Sequence, residues 1–163
     1  MHKFLKMLTL TLLVTVFLQQ IAFASGDTKK PPKPTEGTEA SEPNLGTSID
    51  VRAEYDQNSS DLFYDYYCSI TNTGTDLYLQ GATKSKYLSD QVKLTLYLQE
   101  WDGSQWVDLK SWVFGKFDAQ SITEGAREDY EHEKYYRARA KHFIEYGDQS
   151  ETQNSTSSYI YIE

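Results

Sequence analysis

His132 and His142 are the residues whose chemistry best suits acid–base catalysis. His132 stands in an acidic stretch, and His142 falls within an alternating strand pattern. Hydrolysis of the Ser-His-Asp type needs a nucleophile, a base and an orienting group. The chain contains neither a nucleophile-elbow pattern nor a histidine motif that would supply them. We therefore predict that His142 is a structural histidine on an inward face, and we assign no catalytic residue.

The densest set of possible metal ligands surrounds His132. Asp129, Glu131 and Glu133 alternate onto one side of an extended strand, and clustered carboxylates suit hard cations such as calcium. The stretch lacks a loop of the Asp-x-Asp-x-Asp type, however. A solvated acidic face is the prediction, with no metal and no cofactor.

Aromatic residues are the class most in excess, with 13 tyrosines and 3 tryptophans. Flat aromatic faces stack on the apolar faces of sugar rings, while flanking polar groups bind the hydroxyls. Trp101 and Trp106 bracket a predicted hairpin tip, and Tyr97 lies on the outward side of the same hairpin. We take these three residues as candidate ligand-binding residues. The alternative is that they pack as cross-strand pairs.

The hairpin spans residues 92–114. Its first arm alternates strictly, with four apolar residues on one face, which is typical of a strand that buries one side. Asp102-Gly-Ser104 is a turn signal. The four residues predicted to point inward are Val92, Leu94, Leu96 and Leu98.

Further short segments alternate in the same way, and no segment shows a sustained helical period. The additional predicted strands cover residues 49–55, 64–71, 76–83, 125–132, 135–144 and 157–162. About eight strands at this spacing indicate an all-β chain, specifically an immunoglobulin-like or fibronectin-type antiparallel β-sandwich of about seven to eight strands.

One detail favours the immunoglobulin-like form. Tyr136 precedes the small residue Ala138 by two positions, as on the penultimate strand of those folds. Cys68 is the single cysteine of the chain, so no disulfide can form within the chain. Because Cys68 lies on an apolar face, we expect a small buried side chain; a reactive thiol or an intermolecular bridge is the alternative.

The N-terminus predicts export. Lys3 and Lys6 precede an apolar run over residues 8–18, and Ala22-Phe-Ala24 matches a signal-peptidase site. The run is shorter than the roughly 20 residues that span a bilayer. Residues 1–24 are therefore predicted to be a signal peptide, and the protein is expected to be secreted, extracellular and without a membrane span after cleavage.

Residues 25–46 read as a disordered linker rich in Pro, Lys, Thr and Glu, and residues 47–163 as the β-sandwich domain. The linker contains Lys29-Lys-Pro-Pro-Lys-Pro34, which favours polyproline-II conformation. A solvated spacer is the main interpretation. A short-motif ligand or a tether to an anionic cell wall is the alternative.

Charge restricts the possible partners. The chain has 16 basic and 24 acidic residues; removal of Lys3 and Lys6 with the leader leaves 14 against 24, a net charge of −10. Phosphate binding requires a basic surface. Nucleic acid is therefore not an expected partner.

Four segments together resemble a known family. They are the runs CSITN (68–72), YLQEWDGSQWVDLKSW (97–112), YYRARA (135–140) and SSYIY (157–161). The chain resembles small secreted β-rich proteins of unknown function from spore-forming Gram-positive bacteria, over about residues 62–162. The resemblance implies an exported bacterial protein with a single β-domain, and it implies no site residues.

The sequence therefore predicts a secreted, non-catalytic binding module, and the candidate ligands are an unknown protein or a glycan, including one at a cell surface. Two alternatives stay open, namely a small secreted enzyme with an unrecognised site and a secreted inhibitor or toxin.

Overall fold

The computed structural model describes residues 30–49 and 60–163. In these ranges all helical or strand structure is β-strand, so the all-β class is confirmed. The strands are β1 (Leu45–Thr47), β2 (Phe63–Asn72), β3 (Leu77–Trp101), β4 (Trp106–Glu128), β5 (Lys134–Tyr146), β6 (Gln149–Thr156) and β7 (Ile160–Ile162). All pairs among them are antiparallel. Within the described ranges, the chain contains no helix long and apolar enough to cross a membrane.

The predicted hairpin is confirmed, and it is longer than expected. Trp101 pairs with Trp106 at its tip, and the ladder between β3 and β4 continues to the pair Leu77 and Glu128. The four residues predicted to point inward on the first arm have no exposed surface. Alternation places them together on the face of β3 that water cannot reach.

β3 must bend to fit a small protein. A straight strand of 25 residues would extend about 80 Å at the usual rise per residue. The ladder with β4 is interrupted between Lys84 and Ser89, where four residues of β3 lie opposite the single residue Gln120. Extra residues on one strand bend it and strengthen its twist. The predicted strand over residues 76–83 and the first hairpin arm are thus two halves of one bent strand.

The bend brings the two halves of β3 face to face. An added Cβ on Gly81 would lie 2.9 Å from Leu96 Cδ2 and 3.0 Å from Leu94 Cδ1. β4 follows one edge of β3, while β2 pairs with the first half and β5 with the second half along the other edge. One curled sheet therefore supplies both sides of the core. We call the first half of β3 with β2 the first layer, and the second half of β3 with β5, β6 and β7 the second layer.

The core includes two groups that the sequence also predicted to be buried. Cys68 has no exposed surface, and its Sγ lies 3.6 Å from the carbonyl oxygen of Ala138. His142 is also fully buried. Its Nδ1 lies 2.8 Å from the Thr83 hydroxyl and its Nε2 lies 2.8 Å from the Ser155 hydroxyl. These contacts join β3, β5 and β6 inside the core.

Two strand predictions differ from the structure, and one strand was not predicted. The strand predicted over residues 125–132 is wrong, because residues 125–128 are the end of β4, paired with the first half of β3, and residues 129–133 contain no strand. β6 was not predicted because its sequence is polar throughout. In the strand predicted over residues 49–55, Ile49 lies in a turn; residues 50–55 lie outside the described residues.

Glu151 on β6 connects the two layers at the start of β2. Its carboxylate accepts hydrogen bonds from the Ser60 hydroxyl at 2.7 Å and from the backbone amides of Asp61 at 3.0 Å and Leu62 at 3.3 Å. Burial alone would raise the pKa of Glu151, but these hydrogen bonds outweigh it and the pKa is lowered. The ionised form is therefore the one that stabilises this junction.

We expect Gly81→Val to destabilise the protein by about 1 to 3 kcal/mol, because the added atoms overpack the contact with Leu94 and Leu96. Urea unfolding measures the change. Gly115→Val on the same hairpin is the matched control, since its Cβ would meet nothing closer than 3.6 Å. Its effect should stay within about 0.5 kcal/mol. Equal losses in both variants would contradict the fold-back of β3.

Glu151→Gln should lower the free energy of unfolding by about 1 to 3 kcal/mol at neutral pH. The substitution removes the negative charge to which the Ser60 hydroxyl and the amides of Asp61 and Leu62 donate. A lowered pKa means that this stabilisation is complete above the unfolded-state pKa, near 4.5, and is lost as pH falls through the folded-state value. The stability difference between wild type and the variant should therefore shrink on acidification. Unfolding curves between pH 7 and pH 3 measure it, and a constant difference would contradict this role.

Candidate functional site

The tip of the hairpin holds its two tryptophans in a defined position. Asp102 Oδ1 accepts hydrogen bonds from the backbone amides of Ser104 and Gln105, each at 2.8 Å. The Gln105 and Ser104 bonds lower the pKa of Asp102, and Gly103 supplies the positive φ of 101° that the turn requires. The ring centroids of Trp101 and Trp106 are consequently 5.5 Å apart.

Three tyrosines complete an aromatic cluster with these tryptophans. The cluster consists of Trp101, Trp106, Tyr135, Tyr159 and Tyr161. Tyr135 of β5 pairs with Tyr161 of β7, with ring centroids 4.8 Å apart, and it meets Tyr159 edge-on at 5.8 Å. Because Tyr161 alternates with core residues of β7, the cluster lies on the face of the sheet opposite the main core.

A cation lies against this cluster. The guanidinium of Arg137 is 4.3 Å from the centroid of the Trp106 ring, and its Nε donates to Gln99 Oε1 at 2.7 Å. Burial lowers the pKa of Arg137 to about 10, although the charge of Glu36 opposes that shift. Arg137 therefore still carries its charge at neutral pH. Burial also raises the pKa of Tyr159, which keeps its phenol neutral.

Residues 30–40 cross the aromatic cluster, and we call this segment the N-terminal strap. Trp106 Nε1 donates to the carbonyl oxygen of Glu36 at 3.0 Å. The amide of Tyr159 donates to the carbonyl of Thr38 at 2.8 Å, and the amide of Ala40 donates to the carbonyl of Tyr159 at 2.9 Å. The strap is thus held by an indole donor at one point and by backbone pairing at another.

The side chains of the strap also contact the cluster. Lys30 Nζ lies 3.8 Å from the centroid of the Tyr161 ring, a cation–π distance. Pro32 lies against the hairpin tip, since its Cγ would be 3.7 Å from a Cβ on Gly103, and Pro34 is buried. At Gly37 the backbone has a φ of 91°, and an added Cβ would lie 3.1 Å from Arg137. An aromatic surface of this kind can bind an extended, proline-containing chain.

The structure brings together two of the three predicted ligand-binding residues. Trp101 is almost fully buried, at 1% exposure, and its Nε1 has no hydrogen-bond partner among the described residues. Trp106 is half-buried and contacts the strap. Tyr97 lies four residues before Trp101 on β3, with the Arg139 guanidinium 4.0 Å from its ring centroid, and it is not part of the aromatic cluster.

Sequence reasoning missed Tyr135 and the role of the strap. The strap falls within the predicted linker. The sequence feature that could have indicated its role is the Lys29–Pro34 run, because aromatic surfaces can recognise a polyproline-II segment. The domain boundaries predicted from the sequence stay predictions.

The acidic stretch around His132 is arranged differently from the aromatic site. His132 Nδ1 contacts the carbonyl oxygen of Glu163, and its ring lies 5.4 Å from that of Tyr130. In the described part of the chain, no group of three or more His, Cys, Asp or Glu side chains is placed to hold a metal ion.

Trp106→Phe should loosen the strap, because it keeps an aromatic ring but removes the donor to Glu36. Loss of this hydrogen bond should make detachment of the strap easier by about 0.5 to 1.5 kcal/mol. The amides of Ala40 and Tyr159 should then exchange roughly two- to tenfold faster. Hydrogen exchange followed by NMR measures these rates. Trp112→Phe is the control, since Trp112 packs against the main core. Unchanged exchange in Trp106→Phe would contradict this contact.

The chain has been compared with protein-family models, with curated proteins and with solved structures. None of the three comparisons finds a match. The proposed function therefore rests on the contacts between the aromatic cluster and the strap.

Proposed function

We propose that this chain is a secreted, non-catalytic interaction module that binds an extended peptide segment of a partner protein at its aromatic cluster. The observation that carries the proposal is the strap itself. Residues 30–40 already lie on these rings as a peptide that bends at residues 35–37. Trp106 donates to one carbonyl of this peptide, and Tyr159 pairs with its backbone.

The chemistry of the cluster suits a peptide ligand. Aromatic faces bury the apolar side chains of an extended chain, while an indole N–H and a backbone amide satisfy its carbonyl groups. A rigid aromatic surface also loses little conformational entropy on binding. Aromatic residues at such a surface commonly contribute most of the binding energy.

The remaining parts of the proposal rest on other observations. Export is supported by the leader pattern over residues 1–24. The non-catalytic assignment is supported by His142, whose ring nitrogens bond to two hydroxyls inside the core. A bacterial, Gram-positive source and an immunoglobulin-like sandwich as the scaffold belong to the same proposal.

A mixed array of extended peptides and cell-wall glycans, probed with the purified mature chain, tests this function. We expect binding to peptides, and Trp106→Ala should weaken it roughly thirtyfold, as removal of a central aromatic contact does. Tyr97→Ala is the matched control, because Tyr97 is an aromatic residue of the same hairpin outside the cluster. Circular dichroism of each variant checks that the fold is retained.

Binding to glycans without binding to peptides would contradict the peptide proposal and favour the carbohydrate interpretation. Binding to neither class, or peptide binding that Tyr97→Ala weakens as much as Trp106→Ala, would also overturn the assignment of the site.

A further inference from the structure

The composition of the strap indicates which class of ligand the aromatic cluster can bind. Residues 30–36 read Lys-Pro-Pro-Lys-Pro-Thr-Glu. Contacts recur at every second residue: Lys30 lies over Tyr161, Pro32 against the hairpin tip, Pro34 is buried, and Glu36 presents its carbonyl to Trp106. Prolines fix φ in advance, so an extended chain of this composition loses little entropy on docking.

We propose that the aromatic cluster recognises lysine- and proline-rich segments of a partner protein, and that the strap is an internal competitor for that surface. This inference rests on the function proposed above and adds the ligand class and a means of regulation. The partner segment carries a cation for the face of Tyr161 and a carbonyl for Trp106, in the spacing of the strap.

The arrangement of the strap makes such an exchange feasible. The aromatic cluster is separate from the main core cluster, and within the strap only its last residue, Ala40, packs against the main core. Departure of residues 30–37 therefore leaves the main core packed. Lys33 and Glu39 pair with each other at 2.5 Å on the exposed side, with more than half of each side chain accessible to water. Residues 30–37 are therefore a surface segment that can leave without exposing the leucine-rich core, while Ala40 stays packed against it.

Tethering decides how strongly the strap competes. A segment joined to its own binding surface acts at an effective concentration on the order of millimolar. A partner peptide with similar contacts meets a site that is mostly filled, and its apparent affinity falls by the fraction of molecules in which the site is open. Release of the strap should therefore strengthen binding of an external peptide.

Gly37 allows the strap to be released by one substitution outside the aromatic cluster. Its φ of 91° is a conformation that residues with a Cβ rarely adopt, and a Cβ there would crowd Arg137 at 3.1 Å. Gly74 has a φ of 90° with nothing within 4 Å of an added Cβ. Gly37→Val and Gly74→Val therefore introduce the same backbone conflict, one in the strap and one in a remote turn.

The test titrates a fluorescent peptide, KKPPKPTEGT, into the full mature chain and follows anisotropy. We expect weak binding to wild type, at least tenfold tighter binding to Gly37→Val, and wild-type behaviour in Gly74→Val. A peptide with its prolines replaced by alanine, and one with its lysines replaced by glutamate, should each bind at least tenfold more weakly. Faster amide exchange at Tyr159 in Gly37→Val shows that the strap has been released.

Equal binding to wild type and Gly37→Val, with the strap shown to be released, would overturn the competitor role. Equal binding of the altered peptides would overturn the ligand class. Either failure is distinguishable from failure of the proposed function, since other array peptides would still bind in a manner that depends on Trp106.

Discussion

The structure depends on β3 packing against itself. One face of its second half is a row of fully buried apolar residues, and a flat sheet would leave that row in contact with water. The bend between Lys84 and Ser89 places Gly81 of the first half against Leu94 and Leu96 of the second. Because β2, β4 and β5 all pair with β3, each follows the same curvature, and the core closes within a single sheet.

Polar contacts inside and beside the core connect the two layers. His142 bridges Thr83 on the first layer and Ser155 on the second, and a buried imidazole that bonds at both nitrogens avoids the cost of an unsatisfied polar group. Along β4, Lys110 and Glu128 form an ion pair at 2.5 Å although 18 residues separate them. Exposed ion pairs contribute little to stability, but this one shows that β4 bends together with β3.

The two faces of the second layer have different roles. Tyr136 and Ile160 pack into the main core, whereas Tyr135 and Tyr161 point the other way into the aromatic cluster. The scaffold and the proposed binding surface therefore share strands but use separate sets of side chains. This separation explains why the strap can be considered a ligand: it contacts the cluster without contributing strand pairing to the layers that enclose the core, apart from the bridge between Glu39 and Tyr159.

The sequence by itself determined which side chains are buried on β3 and β5, and where the hairpin turns, because a period of two assigns each residue to a face and Asp102-Gly103 specifies a turn. It also placed Trp101 and Trp106 side by side as candidate site residues. Alternation does not say which strand or layer a face will meet, so the bend in β3, the polar strand β6 and the continuation of β4 through residues 125–128 were decided by tertiary packing. The strap is the clearest case. The polyproline-II conformation that the sequence predicts around residues 31–34 has no internal hydrogen bonds. The folded arrangement of Trp106, Tyr159 and Tyr161 supplies the partners that give residues 30–40 a position.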